Sequence, residues 1–473
     1  MGLVSLAFSL IYLPAILVAI VYQDSELPHL LTTFAICFFT GLIIWLANRH
    51  HQPNLRKKDG FLIVTAFWLL LSLYGATTLW LALDISPYDA LFESVSGLTT
   101  TGATVLTGLD TMPPSMLFFR QELQWFGGIG LVVFAIAIIP KLGIGGMSIY
   151  LAEAPGPMKE EKLTPRIFNS SKVIWQIYIG LTALCATAYW LAGMTPFDAI
   201  AHSLSTLSTG GFSTHDLSLG YFNSPAIEYI AALFMALGAI NFSVHYAAFH
   251  HRSLAGYFRD AEVVSFLMII LAAIILVSVT LHLTGYYLDD VKDLRATTFE
   301  VISVITSTGF GGSEDYSTWP LFLPFFLIMI SFIGGCGGST AGGMKVSRIL
   351  VLTQLTYRET LKLIHPDGTF AIKFNGTPLQ RRIMQSIFGF FSLYIASFLV
   401  LFLSMMALGV DQVTAFSAIA TCMNNLGPGL GEVTSSFASL SDGAKVISVI
   451  AMLLGRLEVL SLLVLLSPAY WRA

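Results

Sequence analysis

TSTGFGG, residues 306–312, sits in a chain otherwise dominated by long apolar runs. Hydroxyls and glycine-bared peptide groups need water, a ligand or a protein partner, so the stretch needs a reason to be there. It also has relatives. FESVSGLTTTGAT (92–104), AHSLSTLSTGGFS (201–213), FEVISVITSTGFG (299–311) and, less faithfully, FSAIATCMNNLGPG (416–429) align on Gly102, Gly211, Gly309 and Gly427. Six residues before each glycine stands a hydroxyl: Ser96, Ser205, Ser303 and Thr421. Four before, each residue is apolar (Leu98, Leu207, Ile305, Met423), and three before, each is polar (Thr99, Ser208, Thr306, Asn424). The glycines lie 109, 98 and 118 residues apart, which sets a repeat of about a hundred residues.

The composition names the solvent. Of 473 residues, 55% are hydrophobic and 11% charged, and the mean hydropathy is +0.76. Soluble domains carry about a quarter charged residues, so this is an integral membrane protein. A spanning helix needs about 20 apolar residues, and the runs 2–22, 30–48, 61–83, 121–140, 171–193, 225–248, 262–284, 320–352, 383–408 and 444–468 meet that need. The four cysteines lie in apolar or glycine-rich surroundings without metal-ligand spacing, which argues against a disulfide framework. Loops after even-numbered runs hold Arg56, Lys57, Lys58, Lys159, Lys162, Arg166, Arg252, Arg259, Arg358, Lys362, Arg381 and Arg382. The other side holds only Arg120, Lys292, Arg295 and Lys445. That bias puts both termini in the cytoplasm.

The four glycine stretches then fall on one side, each inside a helix–short helix–loop–helix unit that follows a two-helix prefix. Non-helical backbone at membrane depth is tolerated only when buried in protein or lining a watery cavity. Four such loops converging on an axis can present carbonyls inward, because glycine allows the necessary backbone angles. A ring of carbonyls can replace the hydration shell of a monovalent cation, and the short helices aim their negative C-terminal ends at the same axis. TSTGFGG reads as one quarter of an ion filter.

Two other features draw attention. GGCGGSTAGG, 334–343, interrupts the eighth apolar run. It is no phosphate loop, since Met344 separates its last glycine from Lys345 and breaks G-x-x-x-x-G-K. It is either a kink or an irregular plug beneath the filter. Arg456 stands near the middle of the last run, where an arginine costs roughly 2.5–3.5 kcal/mol to insert. It is either an interhelix bridge or a fixed positive charge on the permeation path. Glu458, two residues on, is a poor same-helix partner.

These residues resemble the Trk/Ktr/HKT superfamily of potassium transporters over nearly the whole length. GGFSTHD (210–216), SFIGGCGGSTAGGMKVSR (331–348) and NNLGPGLGEV (424–433) carry the likeness along with the repeats. The two-helix prefix sets the chain apart from the shorter KtrB branch. The resemblance implies an all-α polytopic membrane protein, with four M1–P-loop–M2 repeats around a pseudo-fourfold pore and about ten transmembrane helices. The prefix would be 1–58 and the repeats 59–146, 147–252, 253–357 and 358–473. It further implies that K⁺ meets Thr100, Thr101, Gly102, Thr209, Gly210, Gly211, Ser307, Thr308, Gly309, Asn425, Leu426 and Gly427. The gate would be Gly334, Gly335, Gly337, Gly338, Ser339, Thr340, Gly342 and Gly343, with Arg456 as the charge on the path. A homodimer in the bacterial inner membrane, embedded in lipid, is implied, with a cytosolic TrkA-type nucleotide-binding regulatory ring. K⁺ is the transported ion, and no organic cofactor or nucleic acid is expected.

Competing functions fit less well. A Na⁺-coupled or less selective cation transporter of the KtrB kind shares the motifs. An organic-solute transporter would favour inverted repeats around a midplane site, whereas these four share one orientation. An intramembrane enzyme would need a convergent nucleophile and base or a metal cluster, and the apolar runs hold neither.

Overall fold

The computed structural model describes residues 1–49, 59–130, 166–286 and 290–472. Arg56, Lys57, Lys58, Lys159, Lys162 and the second half of the 121–140 run lie outside them. Six helical spans among the described residues are long and apolar enough to cross a membrane: Gly2–Tyr22, Leu27–Asn48, Asp59–Leu83, Lys172–Leu191, Ala261–Leu283 and Arg381–Ala407. A seventh is the pair Pro225–Gly238 and Phe242–His251, bent by 94°. Residues such as Leu17, Val21, Leu191 and Leu283 are exposed. An apolar exterior of this kind is what lipid requires, and the polar groups turn inward.

Between the spans lie four short helices: Pro87–Leu98, Pro196–Leu207, Asp290–Ile305 and Gln412–Asn424. Three have legible starts. Ser86 and Thr195 cap Asp89 N and Asp198 N at 3.1 Å, each with proline at the first helical position. Asp411 caps Val413 N and Thr414 N. The helices end at the aligned stretches, so the repeat seen in sequence is a repeat of structure.

The second long helix of each unit departs from the simple expectation. The run 121–140 starts earlier, as Pro114–Trp125, and passes into a π-turn at Phe126–Gly130. The second bends at Ala239–Asn241. The run 320–352 is two helices, Leu323–Ser331 and Val346–Ile364, with irregular chain between. The run 444–468 stops at Arg456 and resumes at Leu460, with Glu458 and Val459 at positive φ. Arg456 therefore lies at a helix end, not a helix centre. The interruption expected once occurs in three units, and in the first the described helix ends in the π-turn.

One hydrophobic cluster joins the prefix to the first and last units through Tyr12, Trp68, Phe92 and Met452. A second joins the middle two through Tyr178, Phe242, Phe266 and Phe299. The short helices and their loops lie where these clusters meet.

Candidate functional site

The four aligned loops share one backbone. Two residues before each glycine, Thr100, Thr209, Ser307 and Asn425 take φ of 56°, 50°, 55° and 52°. The glycines Gly102, Gly211, Gly309 and Gly427 take 80°, 84°, 74° and 99°. Between them, the amides of Thr101, Gly210, Thr308 and Leu426 donate to the backbone oxygens of Ser96, Ser205, Ser303 and Thr421, all at 2.8–2.9 Å. Left-handed φ at four non-glycine positions costs free energy that the surroundings must supply.

The loops also close on one another in order. A β-carbon on Gly102 would overlap Gly210 O; on Gly211, Thr308 O; on Gly309, Leu426 O; and on Gly427 it would lie 2.8 Å from Thr101 O. Each glycine is thus backed by the neighbouring unit's carbonyl, and the fourth contact returns to the first unit. The twelve residues expected at the filter come together in this ring.

Side chains behind the ring fix it. Ser96 Oγ donates to Ala103 O at 2.5 Å and Ser303 Oγ to Phe310 O at 2.8 Å. In the second quarter Gln124 does this work. Its Oε1 accepts from Ser205 Oγ and Phe212 N, while its Nε2 donates to Gly210 O at 2.6 Å. Nine residues before three of the glycines stand Glu93, His202 and Glu300, all buried. Glu93 accepts from Val105 N at 3.0 Å, Glu300 from Gly312 N at 3.0 Å, and His202 Nε2 bonds Ser213 Oγ at 2.9 Å. Each ties its short helix to the irregular chain leaving the ring. Glu93 is also paired with buried Arg120 at 2.7 Å. In the fourth unit, where the aligned residue is Ala418, Ser417 Oγ accepts from Leu430 N at 2.9 Å. The Glu–His–Glu column was present in the aligned sequences. Gln124, 81 residues from Ser205, carried no local signal.

Beneath the ring lies the chain 332–345. Gly334, Gly338 and Gly343 take φ of 69°, 74° and 74°. Its amides find partners in the bend of the second unit and at the end of a short helix: Cys336 N on Ala239 O at 2.9 Å, Thr340 N on Gly238 O at 3.2 Å, and Gly343 N on Asn424 O at 3.1 Å. Val346 N reaches back to Gly335 O at 3.1 Å, and Ser339 Oγ donates to Cys336 O at 2.6 Å. The bent second helix and the irregular loop thus satisfy each other's backbone groups, which is how such chain survives at membrane depth.

The loop touches the ring through the left-handed residues. Thr209 Oγ1 donates to Thr340 Oγ1 at 3.1 Å, and Gly342 N donates to Ser307 Oγ at 2.5 Å. In the other two quarters, Asn425 Nδ2 donates to Met452 O at 3.1 Å and Arg456 Nη1 to Thr100 Oγ1 at 3.2 Å. Arg456 also donates to Thr340 O at 3.2 Å and to Gly127 O and Gly128 O. It thus bridges the last unit to the first and the third. Glu458 pairs with Arg348 of another helix. Buried Lys345, at φ 77°, donates to Ala341 O and adds a second cation beside the loop.

Three of the basic residues assigned to the sparsely charged side are ion-paired within the protein: Arg120 with Glu93, Arg295 with Glu228 at 3.1 Å, and Lys445 with Asp89 at 2.6 Å.

Comparison with known proteins follows this geometry. The model of the TrkH family, described as cation transport protein, matches residues 26–473. The Trk system potassium uptake protein TrkH of Halomonas elongata is 48% identical over 100% of this chain and 98% of its own. The protein of that name from Escherichia coli K12 is 44% identical over 100% of this chain and 98% of its own. The crystal structure of the potassium transporter TrkH from Vibrio parahaemolyticus superposes with a TM-score of 0.90 at 45% identity, covering 100% of this chain and 98% of that one.

Proposed function

We propose, from the premise that this chain belongs to the TrkH family of cation transport proteins, that it takes up potassium through the ring of four loops. It is a transporter and not an enzyme. Backbone oxygens around Thr100–Gly102, Thr209–Gly211, Ser307–Gly309 and Asn425–Gly427 replace the water that K⁺ sheds. The negative ends of the four short helices add to the attraction. The loop 334–343 and Arg456 form the gate below.

The finer picture follows the same reading. The prefix covers 1–58 and the units 59–146, 147–252, 253–357 and 358–473. The protein is a homodimer in the bacterial inner membrane with both termini cytoplasmic. A TrkA-type nucleotide-binding ring docks on the cytoplasmic face, and the chain itself binds no organic cofactor. The observation that carries the reading is the closed order of matched loops, each glycine backed by the next unit's carbonyl.

The test is growth of uptake-deficient bacteria at limiting K⁺, with Na⁺ and pH varied, alongside Rb⁺ and Na⁺ fluxes in liposomes. Rescue at low K⁺ with Rb⁺ well ahead of Na⁺ is the expected result. A well-expressed chain that neither rescues growth nor prefers Rb⁺ overturns the proposal. Uptake that requires Na⁺ would instead select the Na⁺-coupled alternative.

A further inference from the structure

The loop 332–345 takes most of its hydrogen bonds from neutral groups, but one of its amides is held by a carboxylate. Glu262, in the first turn of helix Ala261–Leu283, is buried. Its Oε1 accepts from Gly337 N at 2.7 Å and from Ser347 N at 3.0 Å. Gly337 belongs to the loop, and Ser347 to the first turn of helix Val346–Ile364, which follows it. A single carboxylate oxygen therefore joins three elements. Bonds to an ionised acceptor are roughly twice as strong as neutral ones, and a helix N-terminus favours negative charge.

The turn that carries Glu262 is itself fastened from outside. Asp260 caps it, with Oδ1 accepting from Glu262 N at 3.0 Å and Val263 N at 3.1 Å. Asp260 Oδ2 accepts from Asn375 Nδ2 at 3.1 Å, and Asn375 Oδ1 accepts from Ala261 N at 2.8 Å. Asn375 and Gly376 are the turn of the hairpin formed by Lys373–Phe374 and Thr377–Pro378, both with positive φ (47° and 79°). Asn-Gly favours this two-residue turn because both positions need left-handed backbone. An exposed hairpin tip thus holds the helix start that holds the loop.

We propose that Glu262 is a positioning residue for the gate: it latches the loop in its resting place under the ring, and the hairpin is the lever through which the protein's surface reaches that latch. The proposal rests on the reading of 334–343 as the gate. Displacing the hairpin tip loosens the first turn of Ala261–Leu283, moves the carboxylate off Gly337 N, and frees the middle of the loop. The bonds of the loop's far end to Ser307 and Asn424 remain, so the ring keeps its shape.

Cys336, buried in the loop, supplies a readout apart from transport. With Cys37, Cys185 and Cys422 replaced by serine, Cys336 is the only thiol in the chain. The full chain in liposomes is assayed for Cys336 labelling by a small methanethiosulfonate and for Rb⁺ uptake per folded protein. Glu262→Gln keeps the shape and an acceptor oxygen but removes the charge. Labelling should quicken by about tenfold, the factor set by losing one charge-assisted bond, and Rb⁺ uptake should rise with an unchanged Rb⁺/Na⁺ ratio. Asn375→Ala, on the exposed tip, should shift both in the same direction by a smaller factor. If Glu262→Gln does not fold, Glu262→Asp keeps the charge, loses the reach, and should quicken labelling too. Unchanged labelling in the folded Glu262 variant overturns the latch. Faster labelling with unchanged uptake supports the latch and overturns the reading of the loop as the gate.

Discussion

Gly309 meets the next unit at a carbonyl and a proline ring: a β-carbon there would overlap Leu426 O and lie 2.7 Å from Pro428 Cδ. Its φ of 74° adds roughly 1–2 kcal/mol for any other residue. Gly309→Ser should therefore push one quarter of the ring outward and weaken discrimination of K⁺ over Na⁺ in a protein that still folds. Relative Rb⁺ and Na⁺ uptake in liposomes measures this, and an unchanged ratio in a well-expressed variant would sink the filter assignment. At the ring's rim, His215 bonds Asp110 Oδ1 at 2.5 Å and lies 3.5 Å from Asp198 Oδ1, so it joins the first two units. Burial disfavours the charged imidazole, but the two carboxylates outweigh it and hold His215 above its ordinary range. A raised histidine stabilises the fold fully below the unfolded value of about 6.5, and that contribution is lost as pH rises through the raised folded value. Melting of the purified protein across pH 5–9 should show this loss as pH rises above about 6.5, and His215→Gln should flatten it. An identical pH profile in the variant would remove His215 from the account.

Interrupted second helices supply the backbone partners that the loop 334–343 and Arg456 need. Each break frees carbonyls: those of Gly238 and Ala239 take up the loop, and those of Gly127 and Gly128 take up Arg456. Much of this was legible in sequence. The short helices, the ring glycines and the loop 334–343 were visible because local glycine and hydroxyl patterns mark them. The departures at Phe126, Ala239 and Leu457 were not, because the small or polar residues there (FGGIG at 126–130, GAIN at 238–241, GRLE at 455–458) are few, and a glycine inside a helical run is often tolerated without a break. They arise where the second helix meets the end of a short helix: a β-carbon on Gly127 would overlap Leu98 O, and one on Gly455 would overlap Met423 O. Gln124 was missed for the same reason, since its partners are set by tertiary packing. At this scale Arg456 has a definite expectation. A cation about 6 Å away at an effective dielectric of about 20 is opposed by roughly 3 kcal/mol, about a hundredfold in occupancy. Arg456→Ala should raise K⁺ flux per folded protein and lower the melting temperature, because it removes both the charge and the contacts to Thr100, Thr340, Gly127 and Gly128. A fall in both would leave Arg456 as a bridge only, and normal flux with normal melting would exclude both roles.

In the whole molecule, one hydrophobic cluster joins the prefix to the first and last units and another joins the middle pair, and the ring closes across both. A displacement in one unit is therefore felt in the next through backbone contacts that leave no room for slack. The loop 334–343 belongs to the third unit, and helix Val346–Ile364 leads from it toward the hairpin at 373–378. That helix ends with Tyr357, Leu363 and Ile364 exposed beside Arg358, Glu359 and Lys362. Its mixture of apolar and charged side chains suits a protein partner, and a nucleotide-binding ring on this face could act on the loop through its shortest mechanical connection. A second long charged loop, 141–170, also suits such docking, and its residues 141–165 lie outside the described residues. The expected outcome is that the ring copurifies or reconstitutes with the chain and that nucleotide changes K⁺ flux only when it is present. Tyr357→Ala with Leu363→Ser should weaken that association while leaving the isolated chain's flux intact. Full flux from the isolated chain, unaltered by ring or nucleotide, would show instead that the loop answers to the ion gradient alone.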